Sequence, residues 1–550
     1  MIRERYDVVV AGGGLAGLCV ALQLKQAIDP VSILVVEKNR LPFPEAAHKV
    51  GESSVEVGSY YLSDILGLGD LLVREVPKLG LRLYMSQGGN QKIENRPEVG
   101  LRDFLDVPAY QIDRGQFENA LFDRLRAEGI AFEDGSSIRS ISLGSGEEDH
   151  EAEIERGGIR RSVRCRWFLD STGRATFLRK KMNLARKNRH HVNAAWFRID
   201  HPIEPNDWCA DPSWHARTVH PRRLGTNHLM GPGYWVWLIP LANDRTSIGI
   251  CADDGSHSFS ELYRFDRAFS WLQEHEPQCA RMLEPHLGKR MDFHAIKNCA
   301  YDSEKMFSAE RWCLLGESAM FLDALYSPGT DFIAIANCIT TQLVTRDLAG
   351  ESIAQTAPAY DQIFRSVARA FSATFYRQYC VMGNSTVMTT KFIWDLSMYW
   401  GGVALLFFRE GINDPDDIEE LSSVLQGFAF ANVSMQAFLR RWSKAAPDGD
   451  GPPAVFVDYG GIACLKGLNE KLLRPPEKCS LVEELRRNLA TIDELKREIL
   501  SEADMQCPGV AGAFQPATTE HLGSMFDAIR PTVETHKGEG SKSFAREMPR

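Results

Sequence analysis

The N-terminal stretch, residues 6–27, constrains the fold most strongly. A β-rich run "YDVVV" leads into "AGGGLAGL" and the amphipathic "CVALQLKQA", and a second β-rich run "SILVVEKN" follows. Strand, glycine-rich turn, helix and strand in this order form a βαβ unit, which requires a parallel sheet. Gly12, Gly14 and Gly17 make the spacing G-x-G-x-x-G, which allows a tight turn, backbone approach to a pyrophosphate and helix packing on the strand. The stretch predicts a dinucleotide-binding domain.

Residues beside the glycines fit the same site. Leu15 and Ala16 begin the helix, where free N–H groups and the positive end of the dipole favour phosphate. Glu37, followed by Lys38, ends the second strand, where a carboxylate can bind ribose hydroxyls. A glycine-rich turn that holds no ligand is the alternative interpretation, and this context disfavours it.

Composition excludes several other classes. The formal net charge of the 550 residues is −10, so nucleic acid is not an expected partner. The twelve cysteines show no C-x-x-C pair and no metal-ligand spacing, which predicts reduced thiols and no metal site. The chain begins "MIRERYDVVV" and enters a strand at once, without the pattern of a signal peptide. We therefore expect a cytoplasmic enzyme.

Three further segments resemble those of FAD-dependent monooxygenases and their relatives. They are "YQIDRGQFENALFDRL" (110–125), "FLDSTGRATFLR" (168–179) and "LLGESAMFLDALYSPGTDF" (314–332). The resemblance implies that FAD is the cofactor and that Arg114, Gly316 and Glu317 help to hold it, with Glu317 in place of the usual aspartate. No second G-x-G-x-x-G occurs, so we expect reduced flavin to come from a separate flavin reductase.

The predicted fold class is α/β, with a Rossmann-like FAD-binding domain, an interleaved and mainly antiparallel substrate sheet, and a helical C-terminal region. A core of residues 1–350 divides into FAD-binding elements at about 1–75, 110–180 and 295–350 and a substrate sheet at about 80–110 and 186–295. Residues 351–505 form the helical region and 506–550 a flexible tail. The apolar run 394–408 is too short to span a membrane and contains Asp395, which predicts a buried or membrane-surface helix.

The stretch "GYWVWLIPL" (233–241) is the most specific motif. On a strand, Trp235 and Trp237 share one face. The stretch matches W-x-W-x-I-P, so the chain resembles the flavin-dependent halogenases over about residues 5–350. Two features agree: "HKVGESS", with Glu52 and Ser53, resembles the loop over the flavin, and "VPKLGLRL" places Lys78 where the catalytic lysine of that family lies. Core aromatic residues and an ordinary exposed lysine are the alternatives.

The resemblance implies an activity. Reduced FAD and O₂ would oxidise bound chloride or bromide to hypohalous acid, which Lys78 would guide to an electron-rich substrate. An ammonium in a partly apolar passage has a lowered pKa and is an adaptable donor. Trp235 and Trp237 would keep organic substrate away from the flavin.

The chain departs from the family in the segment "FLDALYSPG" (321–329). The family pattern is F-x-x-P-x-x-S-x-G, and the proline is missing here. The family binds halide on backbone N–H groups of the two residues after the serine, which is Ser327. Pro328 has no N–H, so Gly329 and Thr330 are the remaining donors. The departure favours, as the rival hypothesis, a flavin monooxygenase or oxidase that uses no halide.

Expectations about substrate and partners follow from the same comparison. Family members that act on tryptophan carry a glutamate where this chain has Tyr326, which favours phenolic or pyrrolic substrates over free tryptophan. The basic run 179–191 is a solvated face or a docking site for an acidic carrier protein that tethers the substrate. Contact of the C-terminal helices with a membrane surface, and loss of catalysis in favour of partner binding, are further hypotheses.

Overall fold

The computed structural model describes residues 3–44, 51–186, 188–411, 418–446, 455–476 and 479–516. Within these ranges the strands are β1 (Arg5–Ala11), β2 (Ile33–Val36), β3 (Val76–Pro77), β4 (Leu81–Tyr84), β5 (Glu98–Gly100), β6 (Tyr110–Gln111), β7 (Ala131–Glu133), β8 (Ser136–Ser142), β9 (His150–Arg156), β10 (Ile159–Asp170), β11 (Ala185–Arg186), β12 (Val192–Ile199), β13 (Thr226–Gly231), β14 (Tyr234–Leu241), β15 (Arg245–Asp253), β16 (His294–Ile296), β17 (Asp302–Ser303), β18 (Phe307–Ser308), β19 (Trp312–Leu314) and β20 (Phe456–Asp458).

The α-helices of the same ranges are α1 (Leu15–Ala27), α2 (Glu56–Tyr60), α3 (Gly69–Leu72), α4 (Arg114–Ala127), α5 (Phe177–Lys181), α6 (Pro212–His215), α7 (Phe265–His275), α8 (Pro277–Leu283), α9 (Gly329–Leu348), α10 (Thr356–Phe375), α11 (Ser385–Met398), α12 (Leu405–Phe408), α13 (Ile418–Ala445), α14 (Ala463–Leu473) and α15 (Leu481–Gln506). A π-helical segment, Tyr399–Ala404, joins α11 to α12.

The first sheet carries the dinucleotide-binding turn. Its order is β18-β19-β10-β1-β2-β7, and β8 and β9 extend it beside β10. β1 lies parallel to both β2 and β10, and its residues Val8, Val9 and Val10 are fully buried because helices and sheet neighbours cover both faces. α1 follows β1 directly and packs against α9. The predicted α/β, Rossmann-like fold class is confirmed.

The second sheet, in the order β16-β12-β15-β14-β13-β4-β5-β20, is mainly antiparallel. β14 lies in its middle, between β13 and β15, and all eight of its residues are buried. The alternation along β14 separates two cores: Trp235 and Trp237 belong to the core that includes the first sheet, whereas Val236 and Leu238 pack under α7 and α8. Strand periodicity therefore puts both indoles on one face, as the sequence predicts.

The C-terminal region folds back over this core instead of standing apart. β20 adds a parallel edge to β5, a strand that the helical pattern of the region does not predict. The apolar run 394–408 is buried: Trp394, Trp400 and Leu405 lie in the common core, so of the two alternatives for this run the structure has the buried helix. Across the described ranges, no helix is both long and apolar enough to cross a bilayer.

The first residues of the predicted tail, 506–516, lie within the described part of the chain. Val510 is buried, and the ring of Phe514 lies 6.0 Å from that of Phe438 on α13, so these two side chains pack on the helical region. The rest of the predicted tail, 517–550, lies outside the described residues.

Candidate active site

The glycine-rich turn at the end of β1 is shaped by close backbone contacts. A Cβ on Gly12 would stand 2.3 Å from the Ser171 carbonyl oxygen, and Gly12 has a φ of +108°. A Cβ on Gly17 would stand 2.1 Å from the Gly12 carbonyl oxygen. Gly14 has open space instead and lines a large cavity, where its bare backbone leaves room for a ligand. Gly12 and Gly17 are therefore required for close packing, and Gly14 leaves the backbone accessible to a ligand.

Glu37 stands at the edge of this cavity, directly after β2. Its Oε2 accepts a hydrogen bond from the Gly13 N–H at 2.7 Å, and its Oε1 accepts from the Asn39 N–H at 2.9 Å. Leu15, Ala16 and the exposed Lys38 line the cavity beside it. The first-turn N–H groups of α1 have no partner within the helix, so this end of the cavity offers donors for an anion.

We call the cavity lined by Gly14, Glu37, Arg114 and Glu317 the flavin cavity, after the expected cofactor. Its opposite wall comes from α4 and the segment after β19. Gly316 has a φ of +56°, and the Glu317 carboxylate pairs with Arg174, with 3.0 Å between Oε2 and Nε. Arg114 donates from Nε to Glu118 at 2.8 Å and from Nη1 to the Gly51 carbonyl at 3.2 Å. Burial lowers the pKa of Arg114, while Glu317 opposes that shift.

Glu52 and Ser53 also line the flavin cavity. Glu52 is buried and accepts a hydrogen bond from Arg198 Nε at 2.6 Å; burial raises the pKa of its carboxyl, while Arg198 opposes the shift. The Ser53 hydroxyl lies 2.9 Å from that of Thr226 on β13. The first residues of the "HKVGESS" segment, 48–50, lie outside the described residues.

The tryptophan pair forms part of the same wall. The ring centroids of Trp235 and Trp237 are 5.6 Å apart, and both indoles line the flavin cavity. Trp235 donates its Nε1–H to the Tyr379 hydroxyl at 2.9 Å, and that hydroxyl donates to the Asp323 carboxylate at 3.0 Å. Trp237 donates to the Ser247 hydroxyl at 3.2 Å. The C-terminal region thus holds one of the two indoles through Tyr379.

Lys78 lies in a second cavity, of about 240 Å³. Its side chain is only 4% exposed, and its Nζ donates to the Ser54 carbonyl at 2.7 Å. Burial lowers the pKa of Lys78 to about 8, although Glu56 and Asp331 oppose that shift. The interpretation of Lys78 as an ordinary exposed lysine is wrong.

The two cavities meet at one short segment. Tyr326 lines the second cavity, Ser327 lines the flavin cavity, and Pro328 lines both. Pro328 precedes α9, whose first residues Gly329 and Thr330 line the flavin cavity. Ser327 and the expected halide donors Gly329 and Thr330 therefore face the flavin cavity, and Lys78 faces the second cavity. The segment around Pro328 is the partition between them.

Two carboxylates beside Lys78 are not predicted by the sequence analysis. Asp331, the third residue of α9, accepts from the Gly58 N–H and the Tyr399 hydroxyl, both at 2.8 Å, and burial raises its pKa to about 7. Glu56 begins α2 and lines the second cavity. No motif marks either carboxylate, although Glu56 follows the "HKVGESS" segment by two residues and Asp331 follows Thr330.

The flavin cavity, of about 660 Å³, has the size and the groups that a dinucleotide flavin needs. Open backbone at Gly14, first-turn N–H groups and the carboxylates of Glu37 and Glu317 fit its phosphates and hydroxyls. The fold and this site define an FAD-binding flavoprotein, and FAD is its cofactor. Residues 5–247 match the FAD binding domain family.

Comparison with known proteins shows which flavoproteins this chain is similar to. The chain is 24% identical over 432 residues to the flavin-dependent halogenase chlA of Dictyostelium discoideum, covering 72% of this chain and 70% of that one. It is 23% identical over 345 residues to a 1H-pyrrole-2-carbonyl-peptidyl-carrier-protein brominase of Pseudoalteromonas luteoviolacea, covering 60% and 74%. The crystal structure of halogenase PltM in complex with phloroglucinol and FAD shares the fold, with a TM-score of 0.63, 15% identity and coverage of 92% and 98%. The resemblance to flavin-dependent halogenases is confirmed.

Proposed function

We propose that the protein is an FADH₂-dependent halogenase that uses O₂ and chloride or bromide to halogenate an electron-rich aromatic substrate. One observation carries the proposal. A flavin cavity walled by Trp235 and Trp237 and a second cavity containing Lys78 meet at Pro328. Two cavities with one shared wall residue suit a small oxidant made in one chamber and used in the other.

The flavin cavity binds FAD and halide and excludes the organic substrate. Reduced FAD, when bound, would donate two electrons to O₂, so that one oxygen atom oxidises halide to hypohalous acid and the other leaves as water. Trp235 and Trp237 exclude organic substrate from that chamber. The first-turn N–H groups of Gly329 and Thr330, together with the dipole of the 20-residue helix α9, bind halide next to Ser327.

The second cavity directs the oxidant. Because the pKa of Lys78 is about 8, a neutral amine with a free electron pair is accessible near neutral pH. The ammonium form donates a hydrogen bond to hypohalous acid, and the amine form can accept the halogen. Ring carbon of the substrate then replaces hydrogen by halogen, and water leaves.

The substrate class is phenolic or pyrrolic, either free or bound to a carrier protein, and a separate flavin reductase supplies FADH₂. The likeness to a carrier-protein pyrrole brominase supports the tethered form. The likeness to a halogenase crystallised with phloroglucinol supports a free phenol. The second cavity opens between α10 and α13, where Gln362, Ser366 and Gln426 are exposed lining residues, which gives either form a route in.

A flavin monooxygenase without halide use is the second candidate, because Pro328 removes one donor from the halide site. The test supplies chemically reduced FAD, O₂ and bromide with a panel of phenols, pyrroles and indoles. Halogen isotope patterns in the product mass spectra are expected. Products that gain one oxygen and no halogen would establish the monooxygenase instead.

The variant Lys78→Met distinguishes the reaction in the flavin cavity from the reaction in the second cavity. We expect flavin oxidation and release of oxidant, trapped by a soluble halogen acceptor, to continue while halogenation of the cavity-bound substrate is lost. Ser423→Ala, at an exposed position of α13 outside the cavity lining, is the matched control and should retain halogenation. Retained halogenation in Lys78→Met would refute the role given to Lys78.

A further inference from the structure

Glu56 is a buried carboxylate that lines the second cavity and forms no salt bridge with another described residue. Its side chain is 9% exposed and lines the cavity that contains Lys78. Burial raises the pKa of Glu56, whereas its own backbone N–H, Lys78 and the Trp400 indole oppose that shift. The Trp400 indole N–H approaches the carboxylate, but among the described residues it reaches hydrogen-bond geometry with no acceptor. A carboxylate in this position can accept a hydrogen bond from a donor that enters the cavity.

The neighbouring carboxylate Asp331 differs in this respect. Both of its oxygens are occupied, one by the Gly58 N–H and one by the Tyr399 hydroxyl, so it ties α9 to α2 and to the π-helical segment. Asp331 therefore has a structural role, whereas Glu56 keeps acceptor positions open toward the cavity.

Seven aromatic side chains line the cavity among apolar and polar ones, and one of the seven, Trp400, has an indole N–H that no described acceptor binds. Trp400 is 2% exposed, and its Nε1–H has no hydrogen-bond partner among the residues described. It belongs to the π-helical segment, a distortion that is common at functional sites. The aromatic lining residues are Tyr326, Phe371, Phe392, Tyr399, Trp400, Phe428 and Tyr459. This lining fits a flat aromatic ring, and the open polar groups fit one polar edge of that ring.

We propose that Glu56 is the substrate-orienting residue of the second cavity and that the substrate is an aromatic ring bearing an O–H or N–H donor, which binds to Glu56. Only the halogenation of the bound ring rests on the proposed function; the binding of the ring to Glu56 does not. The hydrogen bond turns the donor-bearing edge toward Glu56 and exposes the neighbouring ring carbon to Lys78. The same bond raises the electron density of the ring, because a carboxylate acceptor partly withdraws the proton.

The test measures binding, without halide or reductant, so that it stands apart from halogenation. Phenol and its methyl ether anisole are titrated into the FAD-loaded protein by calorimetry, with indole and N-methylindole as a second pair. We expect the donor-bearing member to bind about 10- to 100-fold more tightly, the factor for a hydrogen bond to a charged group. Glu56→Gln should reduce the ratio, and Glu56→Leu should reduce it below about threefold while anisole binds as before.

Ser423→Ala, at an exposed position of α13 outside the cavity lining, is the matched control and should keep the wild-type ratio. Equal binding of phenol and anisole to the wild type, or a ratio that survives both changes at Glu56, would overturn the proposal. If Glu56→Leu does not fold, Glu56→Gln, which preserves shape, decides the question alone. A normal binding ratio combined with absence of halogenation would refute the proposed function and leave the role of Glu56 standing.

Discussion

Lys78→Met should make the protein more stable near pH 7, although the same change should abolish halogenation. The folded protein lowers the pKa of Lys78 from 10.5 to about 8, so the fold disfavours the ammonium form by about 3 kcal/mol at 1.36 kcal/mol for each pKa unit. Methionine has similar length and no charge, so it removes this penalty. It also leaves the Ser54 carbonyl without its donor, which costs about 1 kcal/mol. The expected net gain is about 2 kcal/mol.

The dependence of this gain on pH has a definite sign. Below pH 8 Lys78 is protonated in both the folded and the unfolded states, and the full penalty applies. Between pH 8 and 10.5 the unfolded chain binds the proton and the folded protein does not, so the stability of the wild type rises with pH relative to the variant. The advantage of Lys78→Met should therefore decline over that window.

Urea unfolding of matched FAD-loaded samples at pH 7, 8.5 and 10 measures the difference. Lys391→Met is the control, because Lys391 is equally buried but is held by Asp395 at 2.6 Å, the Thr374 carbonyl and Gln436. Burial lowers the pKa of Lys391 as well, but three acceptors bind its ammonium. The loss of Lys391 leaves Asp395 without a cation and should destabilise the fold by about 3–5 kcal/mol. A Lys78→Met variant that is less stable than the wild type at pH 7, or whose advantage is independent of pH, would refute this account.

Three further predictions concern the flavin side. Gly17→Ala should abolish FAD binding, measured by absorbance after desalting, because its Cβ would stand 2.1 Å from the Gly12 carbonyl oxygen. Tyr379→Phe removes the acceptor of the Trp235 indole N–H, so oxygenated by-products should rise in mass spectra at unchanged FAD content; an unchanged product ratio would contradict this role. Alanine fits the φ of −74° at Pro328, and Pro328→Ala restores an N–H. The bromide concentration that gives half-maximal halogenation should therefore fall by about tenfold or less, and an unchanged concentration would count against halide binding at α9.

The sequence predicts the parts of the site that lie within one motif. The spacing of Gly12, Gly14 and Gly17 defines the dinucleotide turn, and strand alternation puts Trp235 and Trp237 on one wall. These features follow from local backbone geometry, which a short pattern encodes.

Features that need distant segments could not be predicted in this way. The carboxylates around Lys78 come from α2 and α9, and Tyr379, which binds Trp235, comes from the C-terminal region that carries no recognisable motif. Strand β20 joins the second sheet from the same region, because an edge strand of three residues has no periodicity to detect. The C-terminal region therefore lines the second cavity and holds Trp235 of the flavin cavity through Tyr379, although its sequence indicates only helices.

Pro328 has a different meaning in the structure from the one its sequence position indicates. Tyr326 and Ser327 have φ values of +67° and +61°, a left-handed conformation that costs non-glycine residues about 1–3 kcal/mol each. The turn is held by the bond from the Ser327 N–H to the Ala324 carbonyl at 3.1 Å and by the Phe332 N–H, which binds the Pro328 carbonyl at 3.1 Å. A proline at this point fixes φ and leaves no N–H unsatisfied inside the partition. The residue that removes a backbone donor thus stiffens the wall between the two cavities, and the proposed halide site would use the N–H groups of Gly329 and Thr330 instead.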